Sequence, residues 1–389
     1  MLSIGIFTYS TRPRGSVVHA AALAEALHSL GHEVTLYALS KEGDEFFREV
    51  RCPLRLILAG PAPSASDELV KQRVAEFSAG LRALAPQHDI YHAEDCLAAS
   101  ALLDAREFGV GPVVRTVHHV EAFANPYLAE CQRRSIEQAD LVLSVSALTR
   151  REVKNEFSRQ SGLVQNGVDL ERFAVRSASY EREVNARFGL QADDLLVLSV
   201  GGVEERKNSL RALEAVAKAH ALDRRLRWLI VGGASIFDHS EYGRRFDARL
   251  SELSPELCTR ILRTGTISEV ELGALYQRSD VLLCPSEKEG FALCVLEALA
   301  ARTAVIASAR APFTEYLDSD SASLVDPESV PEISAALSGL LADDERRLHL
   351  AERGQKLCER YSWRKSAEQH VRQYRALARG RRAPLRANA

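Results

Sequence analysis

The sequence predicts an α/β protein built from two doubly wound parallel sheets, and three observations carry that expectation. Short apolar runs of strand length alternate with helical-period segments along nearly the whole chain. A short polar stretch at 166–183 interrupts the alternation, which then resumes. At 389 residues the chain is too long for one ordinary core and suits two.

In the first half, strands are expected at 2–9, 33–39, 54–58, 90–92, 113–117, 141–145 and 163–165. Helices are expected between them at 17–30, 68–84, 96–108, 123–138 and 147–157. Gly31 closes the first helix as a C-terminal cap. In the second half, strands are expected at 195–200, 226–231, 261–264, 280–284, 304–307 and 323–325. Helices fall at 210–220, 242–253 and 270–277, on from Phe291, and near 331–341, 344–360 and 363–378. The domain reading is therefore 1–170, a linker at 171–184, a second domain at 185–362, and a disordered basic tail at 379–389.

Composition narrows the function classes. The chain is 46% hydrophobic and 26% charged, with a formal net charge of -3, which gives no global drive toward nucleic acid. Aromatic residues are few and do not interleave with basic ones, as a single-strand binding groove requires. The seven cysteines form no CxxC pair, and several sit in apolar patterns, so reduced buried thiols in a cytoplasmic protein are expected. No signal peptide is visible, and no apolar run approaches the ~20 residues of a spanning helix. Arg133, Arg134 and the basic tail permit peripheral contact with an anionic membrane, but solvated faces are the simpler reading.

The stretch from Asp280 to Ala300 concentrates the polar chemistry. A buried strand ends at Pro285, a loop carries Glu289 and Gly290, and helical spacing begins at Phe291. Ligands of open α/β sheets bind at such carboxyl ends. The N–H groups of Gly290, Phe291, Ala292 and Leu293 would then point outward from a helix start, a site for phosphate oxygens. Glu289 and Glu297 flank it, about 12 Å apart if the whole interval is helical. That span suits two ends of an extended polar ligand. A solvated acidic loop followed by an ordinary helical Glu has the same residue types.

Glu289-x7-Glu297, with Gly290-Phe291 after the first acid, resembles the donor-binding motif of the retaining glycosyltransferases of family four. The resemblance implies that Glu289 contacts the transferred sugar, Glu297 the ribose, and the N–H groups between them the diphosphate. Gly201-Gly202 followed by Arg206-Lys207 is similar to the family's glycine turn and basic pair, which neutralise the diphosphate. Many members carry Gly-Arg where this chain has Gly201-Gly202, so one phosphate-directed Arg is missing or is replaced by backbone N–H groups, with Gly202 the candidate contact. Arg14-Gly15-Ser16 resembles the family's Gly-Gly loop, with Arg14 in place of the first Gly and His19 matching a frequent histidine. Thr116-Val117-His118-His119 ends a strand. His118 fits the family's active-site histidine, although either it or His119 is able to face the cleft. Glu94 and Asp95 are weaker candidates. Asn166-Gly167-Val168-Asp169 resembles the signature closing the first domain, with Asp169 capping the next segment. Asp318-Ser319-Asp320 has a metal-binding spacing but reads as a solvated turn, and Glu315 is a further candidate contact.

The resemblance implies the GT-B architecture: two facing Rossmann-like domains with a cleft between them, and a final helix crossing back to the first. Trp363, Ala367, Val371 and Tyr374 supply the crossing face. The implied function is retaining transfer from a nucleotide-diphosphate sugar to an unidentified acceptor hydroxyl, with no metal and no other cofactor. A nucleotide-sugar epimerase or hydrolase needs an acid–base pair at the sugar, and only Glu289 is well placed. A non-catalytic nucleotide-sugar binding protein is the remaining alternative.

Overall fold

The computed structural model describes residues 1–41, 43–63, 66–174, 177–233 and 240–382. The chain divides into two compact units, one formed by 1–167 with 363–389 and the other by 168–362.

The first unit contains β1 (Ser3–Thr8), α1 (Gly15–Ser29), β2 (Glu33–Lys41), β3 (Leu54–Ala59) and α2 (Ser66–Leu84). It continues with β4 (Ile90–Ala93), α3 (Cys96–Asp104), β5 (Val113–Val117), α4 (Pro126–Glu137), β6 (Leu141–Ser144), α5 (Ala147–Phe157) and β7 (Gly162–Leu163). The sheet order is β3-β2-β1-β4-β5-β6-β7, and every pairing is parallel. The strand order reverses between β1 and β4. There the connections leave in opposite directions and open a crevice at the strands' carboxyl ends.

The second unit opens with two helices, α6 (Leu170–Ala174) and α7 (Ala178–Phe188). Then come β8 (Leu195–Val200), α8 (Ser209–Leu222), β9 (Leu226–Val231), α9 (Ser240–Ser251), α10 (Pro255–Arg260) and β10 (Ile261–Gly265). It ends with α11 (Glu269–Arg278), β11 (Val281–Cys284), α12 (Leu293–Ala300), β12 (Ala304–Ser308), β13 (Ser323–Val325), α13 (Val330–Ala342) and α14 (Asp344–Cys358). The order β10-β9-β8-β11-β12-β13 repeats the winding of the first unit, with its reversal between β8 and β11.

The final helix, α15 (Trp363–Arg382), belongs to the first unit. Ala367, Val371 and Tyr374 are buried in that unit's core beside Ile4, Val17 and Leu23, and Trp363 packs against the same cluster. Their spacing puts them on one stripe, and a buried Val alone stabilises by roughly 1.5–3 kcal/mol.

Three local expectations are corrected. The segment read as an irregular linker holds α6 and α7; Asp169 caps α6 by accepting from the Arg172 N–H at 3.1 Å. A polar segment still folds here because Phe173, Val184 and Phe188 bury their side chains. Residues 379–382 of the expected tail continue α15, while 383–389 lie outside the described residues. The helix expected from Phe291 begins at Leu293, because Ala292 takes a left-handed conformation at φ 69°.

Candidate active site

In the second unit the site residues gather at the strand reversal. β8 runs into Gly201 and Gly202, both at positive φ (125° and 77°), and both N–H groups donate to the Val231 carbonyl at the end of β9. Glycine is required at Gly201 for a second reason. A Cβ there would lie 2.5 Å from Lys207 Cε, so the Lys207 stem crosses the bare face of this residue.

Asn208, at φ 60°, ends the turn Glu205–Lys207 and sends its side-chain amide to the carbonyls of Pro285 (3.0 Å) and Pro327 (2.6 Å). The N–H groups of Glu287 and Lys288 donate in turn to the Arg206 carbonyl. The loop after β8 and the loop after β11 are therefore bolted together, which brings Arg206 and Lys207 to Glu289.

Glu289 is 7% exposed and holds both cations: Lys207 Nζ at 2.6 Å from Oε1 and Arg206 at 3.1 Å from Oε2. The Ser286 hydroxyl donates to Oε1 at 3.0 Å, and Arg206 also reaches Glu204 at 2.9 Å. Burial works to raise the Glu289 carboxyl, but the charges of Lys207 and Arg206 outweigh it and hold the pKa down at about 2. Burial likewise opposes the Lys207 ammonium, yet the Glu289 charge keeps its pKa above the ordinary lysine value.

Gly290 and Phe291 complete the loop. Phe291 is stacked on Tyr316 with ring centroids 4.8 Å apart, and the Tyr316 hydroxyl donates to the Phe291 carbonyl at 2.8 Å. The N–H groups of Gly290, Phe291 and Ala292 find no backbone carbonyl among the described residues, and all three residues are buried. Leu293 opens α12 behind them. Backbone donors in buried residues are normally paired, and three without a backbone partner beside two cations are groups suited to an anion. Because helix begins only at Leu293, the helical spacing of 12 Å does not describe the separation of Glu289 from Glu297. Glu297 accepts from the Tyr276 hydroxyl at 2.8 Å, and burial raises its pKa.

In the first unit the reversal carries a different cluster. Gly15 opens α1 with nothing within 4 Å of where a Cβ would stand, so space above it is free. His19 on α1 has no solvent exposure. His92 and Glu94 lie two residues apart at the end of β4 and share one face of the sheet. His92 bonds Tyr374 (2.5 Å) and Thr116 (2.7 Å), and Glu94 Oε2 accepts from His118 Nε2 at 2.9 Å. His118 keeps 15% side-chain exposure; His119 pairs instead with Glu121 at 3.1 Å. Burial lowers both His92 and His118 to about 4, against the pull of Glu94. Burial would raise Glu94, but His19, His92 and His118 hold it well below the usual carboxylate range.

Asp95 has a structural task. Its carboxylate caps α3 through the Ala98 N–H (2.7 Å) and fixes the chain after β1 through the Tyr9 N–H (2.8 Å). Asp318 binds Ser321 twice and Asp320 pairs with Arg353, so the Asp-x-Asp spacing is a satisfied turn. Arg133 pairs with Glu130 and Glu137, and Arg134 with Asp104, on the surface. Glu315 lies exposed in the turn Phe313–Glu315. All seven cysteines are unpaired, with only Cys258 partly exposed. Among the described residues no helix is long and apolar enough to cross a membrane.

Comparison with known proteins decides the family. Residues 181–357 match the family described as glycosyl transferases group 1, and residues 13–172 match glycosyltransferase family 4. The chain belongs to these glycosyltransferases. A D-inositol 3-phosphate glycosyltransferase of Corynebacterium urealyticum is 27% identical over 97% of this chain and 87% of its own length. Among solved structures, a sucrose-phosphate synthase from Thermosynechococcus elongatus superposes with a TM-score of 0.78 at 22% identity, covering 98% of this chain and 100% of its own. The Anabaena protein HepE, solved in complex with UDP-glucose, gives 0.76 at 16% identity, covering 97% and 100%. The fold of this glycosyltransferase is therefore GT-B.

Proposed function

We propose that this glycosyltransferase moves a sugar from a nucleoside-diphosphate sugar to an acceptor hydroxyl with retention of configuration and without a divalent metal. The observation that carries the reading is the arrangement of Arg206, Lys207 and Glu289 beside the N–H groups of Gly290, Phe291 and Ala292.

Charge grows on the diphosphate as the glycosidic bond breaks. Two fixed cations and a set of preorganised donors stabilise it without reorganising. Their positive charge also does the work a magnesium ion does elsewhere. Glu289, ionised and almost fully buried, accepts from sugar hydroxyls, and Glu297 accepts from the ribose. The N–H of Gly202 is taken by the Val231 carbonyl, so the phosphates fall to Arg206, Lys207 and the N–H groups after Glu289. Gly15 leaves room on the first unit's loop, and His118 lends a polar contact to the sugar. A carboxyl held near 2 is a poor proton donor at neutral pH, which disfavours acid–base chemistry by Glu289 and with it the epimerase or hydrolase reading. Same-face attack, with the departing phosphate taking the acceptor's proton, needs no such group. The unpaired thiols support a reducing, cytoplasmic setting.

The first acceptors to offer are inositol phosphates, the class that the Corynebacterium relative's name specifies. The test is transfer from UDP-, GDP- and ADP-sugars in excess EDTA, with the product anomer read by NMR. A retained anomer formed in EDTA supports the proposal. Inversion, or strict dependence on added magnesium, overturns it.

A further inference from the structure

His19, Glu94 and His118 come from three elements, α1, the residue after β4 and the loop after β5, yet converge in the first unit. His19 Nδ1 lies 3.0 Å and His118 Nε2 2.9 Å from the same oxygen, Glu94 Oε2. Each of the three residues offers one ligand atom, and these atoms lie within 4.8 Å of one another.

The two histidines treat that oxygen differently. His118 makes an aligned hydrogen bond to it. His19 approaches as closely but off the line of a well-aligned hydrogen bond, and neither ring nitrogen has an aligned partner, in a side chain with no solvent exposure. Glu94 Oε1 is unbonded as well, with His92 Nε2 3.6 Å away. Buried polar groups are nearly always satisfied, and an orphan calls for a bound species or a functional task. Close approach without alignment is the relation between two ligands of one ion. Their lone pairs converge on the metal and pass beside each other. A hydrogen-bonded carboxylate–imidazole pair accounts for His118 and leaves His19 unexplained.

We propose that His19, Glu94 and His118 form a binding site for a divalent transition-metal ion of borderline softness, Zn2+ foremost. Two imidazoles and one carboxylate make a zinc ligand set with a fourth position open. His118, the only one of the three with residual exposure, marks the side on which that position lies. Ligands about 2.0–2.2 Å from a tetrahedral zinc stand about 3.3–3.5 Å apart. The two pairs that share Oε2 need to open by only a few tenths of an ångström, while the imidazole nitrogens draw together. Nitrogen ligands exclude Mg2+ and Ca2+ as natural occupants. The site is thus distinct in chemistry from a diphosphate-bridging magnesium, and its loading does not depend on whether the donor reading holds.

The test uses the full chain without an affinity tag. Cobalt(II) is expected to bind one ion per chain, with the visible absorption of a four-coordinate nitrogen–oxygen site, and Zn2+ is expected to displace it. His19→Ala and Glu94→Gln should each weaken Zn2+ at least tenfold, with folding checked by circular dichroism. His28→Ala, at an exposed position on the same helix, should leave it unchanged. If both site variants fail to fold, the cobalt spectrum of the unaltered chain still decides. No saturable ion, undiminished Zn2+ affinity in His19→Ala, or a thiolate charge-transfer band from a cysteine site would each overturn the proposal. Sugar transfer measured alongside tests the separate reading of His118.

Discussion

The two units wind their sheets in the same order and place polar residues at the same point of reversal, yet the two crevices carry opposite electrostatics. In the second unit one buried carboxylate, Glu289, sits between two cations. In the first, one buried carboxylate, Glu94, sits among histidines, and burial lowers two of them, His92 and His118, to about 4. Topology therefore fixes where a site forms, and the residues on the first turns decide what it takes. The second crevice is suited to a polyanion that develops charge. The first is suited to a neutral polyol or to a metal ion.

The comparison breaks most visibly at Lys207. Lys207→Ala removes a cation from the proposed diphosphate site and leaves Glu289 half compensated. Turnover should fall about 100- to 1,000-fold, as for loss of a single charge-stabilising group in other enzymes. Stability should drop by about 3 kcal/mol, the cost of breaking a buried pair. Glu94→Gln should leave nucleotide affinity within about twofold of the parent, because it alters only the other crevice. Steady-state kinetics and denaturant melts of both variants check this.

Acid sharpens the contrast. Glu289 has its folded pKa depressed to about 2, so its contribution is fully present above the ordinary value near 4.5 and is lost as pH falls from there toward 2. The difference amounts to about 3 kcal/mol. Glu289→Gln should therefore show a flatter stability profile between those limits than the parent. Parallel profiles would mean that the ion pairs do not form.

Gly201→Ala is a subtler probe. At φ 125° and 2.5 Å from Lys207 Cε, a methyl group strains the turn and pushes the lysine aside. A roughly tenfold loss of nucleotide affinity is expected, about 1.4 kcal/mol. Tyr276→Phe should have the smallest effect. It removes one hydrogen bond to Glu297 and should weaken nucleotide binding a few-fold, on the order of 1 kcal/mol, by titration calorimetry.

Much of the molecule is legible in its residues. Buried parallel strands read as continuous apolar runs, and their ends supply Gly202, Arg206, Lys207, Glu289 and His118. The hidden parts depend on conformation or on contacts distant in sequence. Ala292 gives no outward sign of its left-handed conformation, so the residue pattern places the start of α12 two residues early. Helices α6 and α7 are polar over most of their length and owe their place to a few buried side chains. In sequence Glu94 and Asp95 read alike as weak candidates, and the structure separates them. Asp95 is spent on a helix cap, while Glu94 gathers His19 from α1 and His118 from beyond β5. The available signal is the pair His92-x-Glu94, which places both side chains on one face at a strand end.

The most direct test of the central claim is calorimetric titration of the unaltered chain and of Lys207→Ala with UDP, GDP and ADP in EDTA. Tight, metal-free binding of one nucleoside diphosphate, weakened at least tenfold by Lys207→Ala, is the predicted result. Equal affinity in the two proteins, or no binding without a divalent metal, would contradict the assignment of the second unit's cations to the diphosphate.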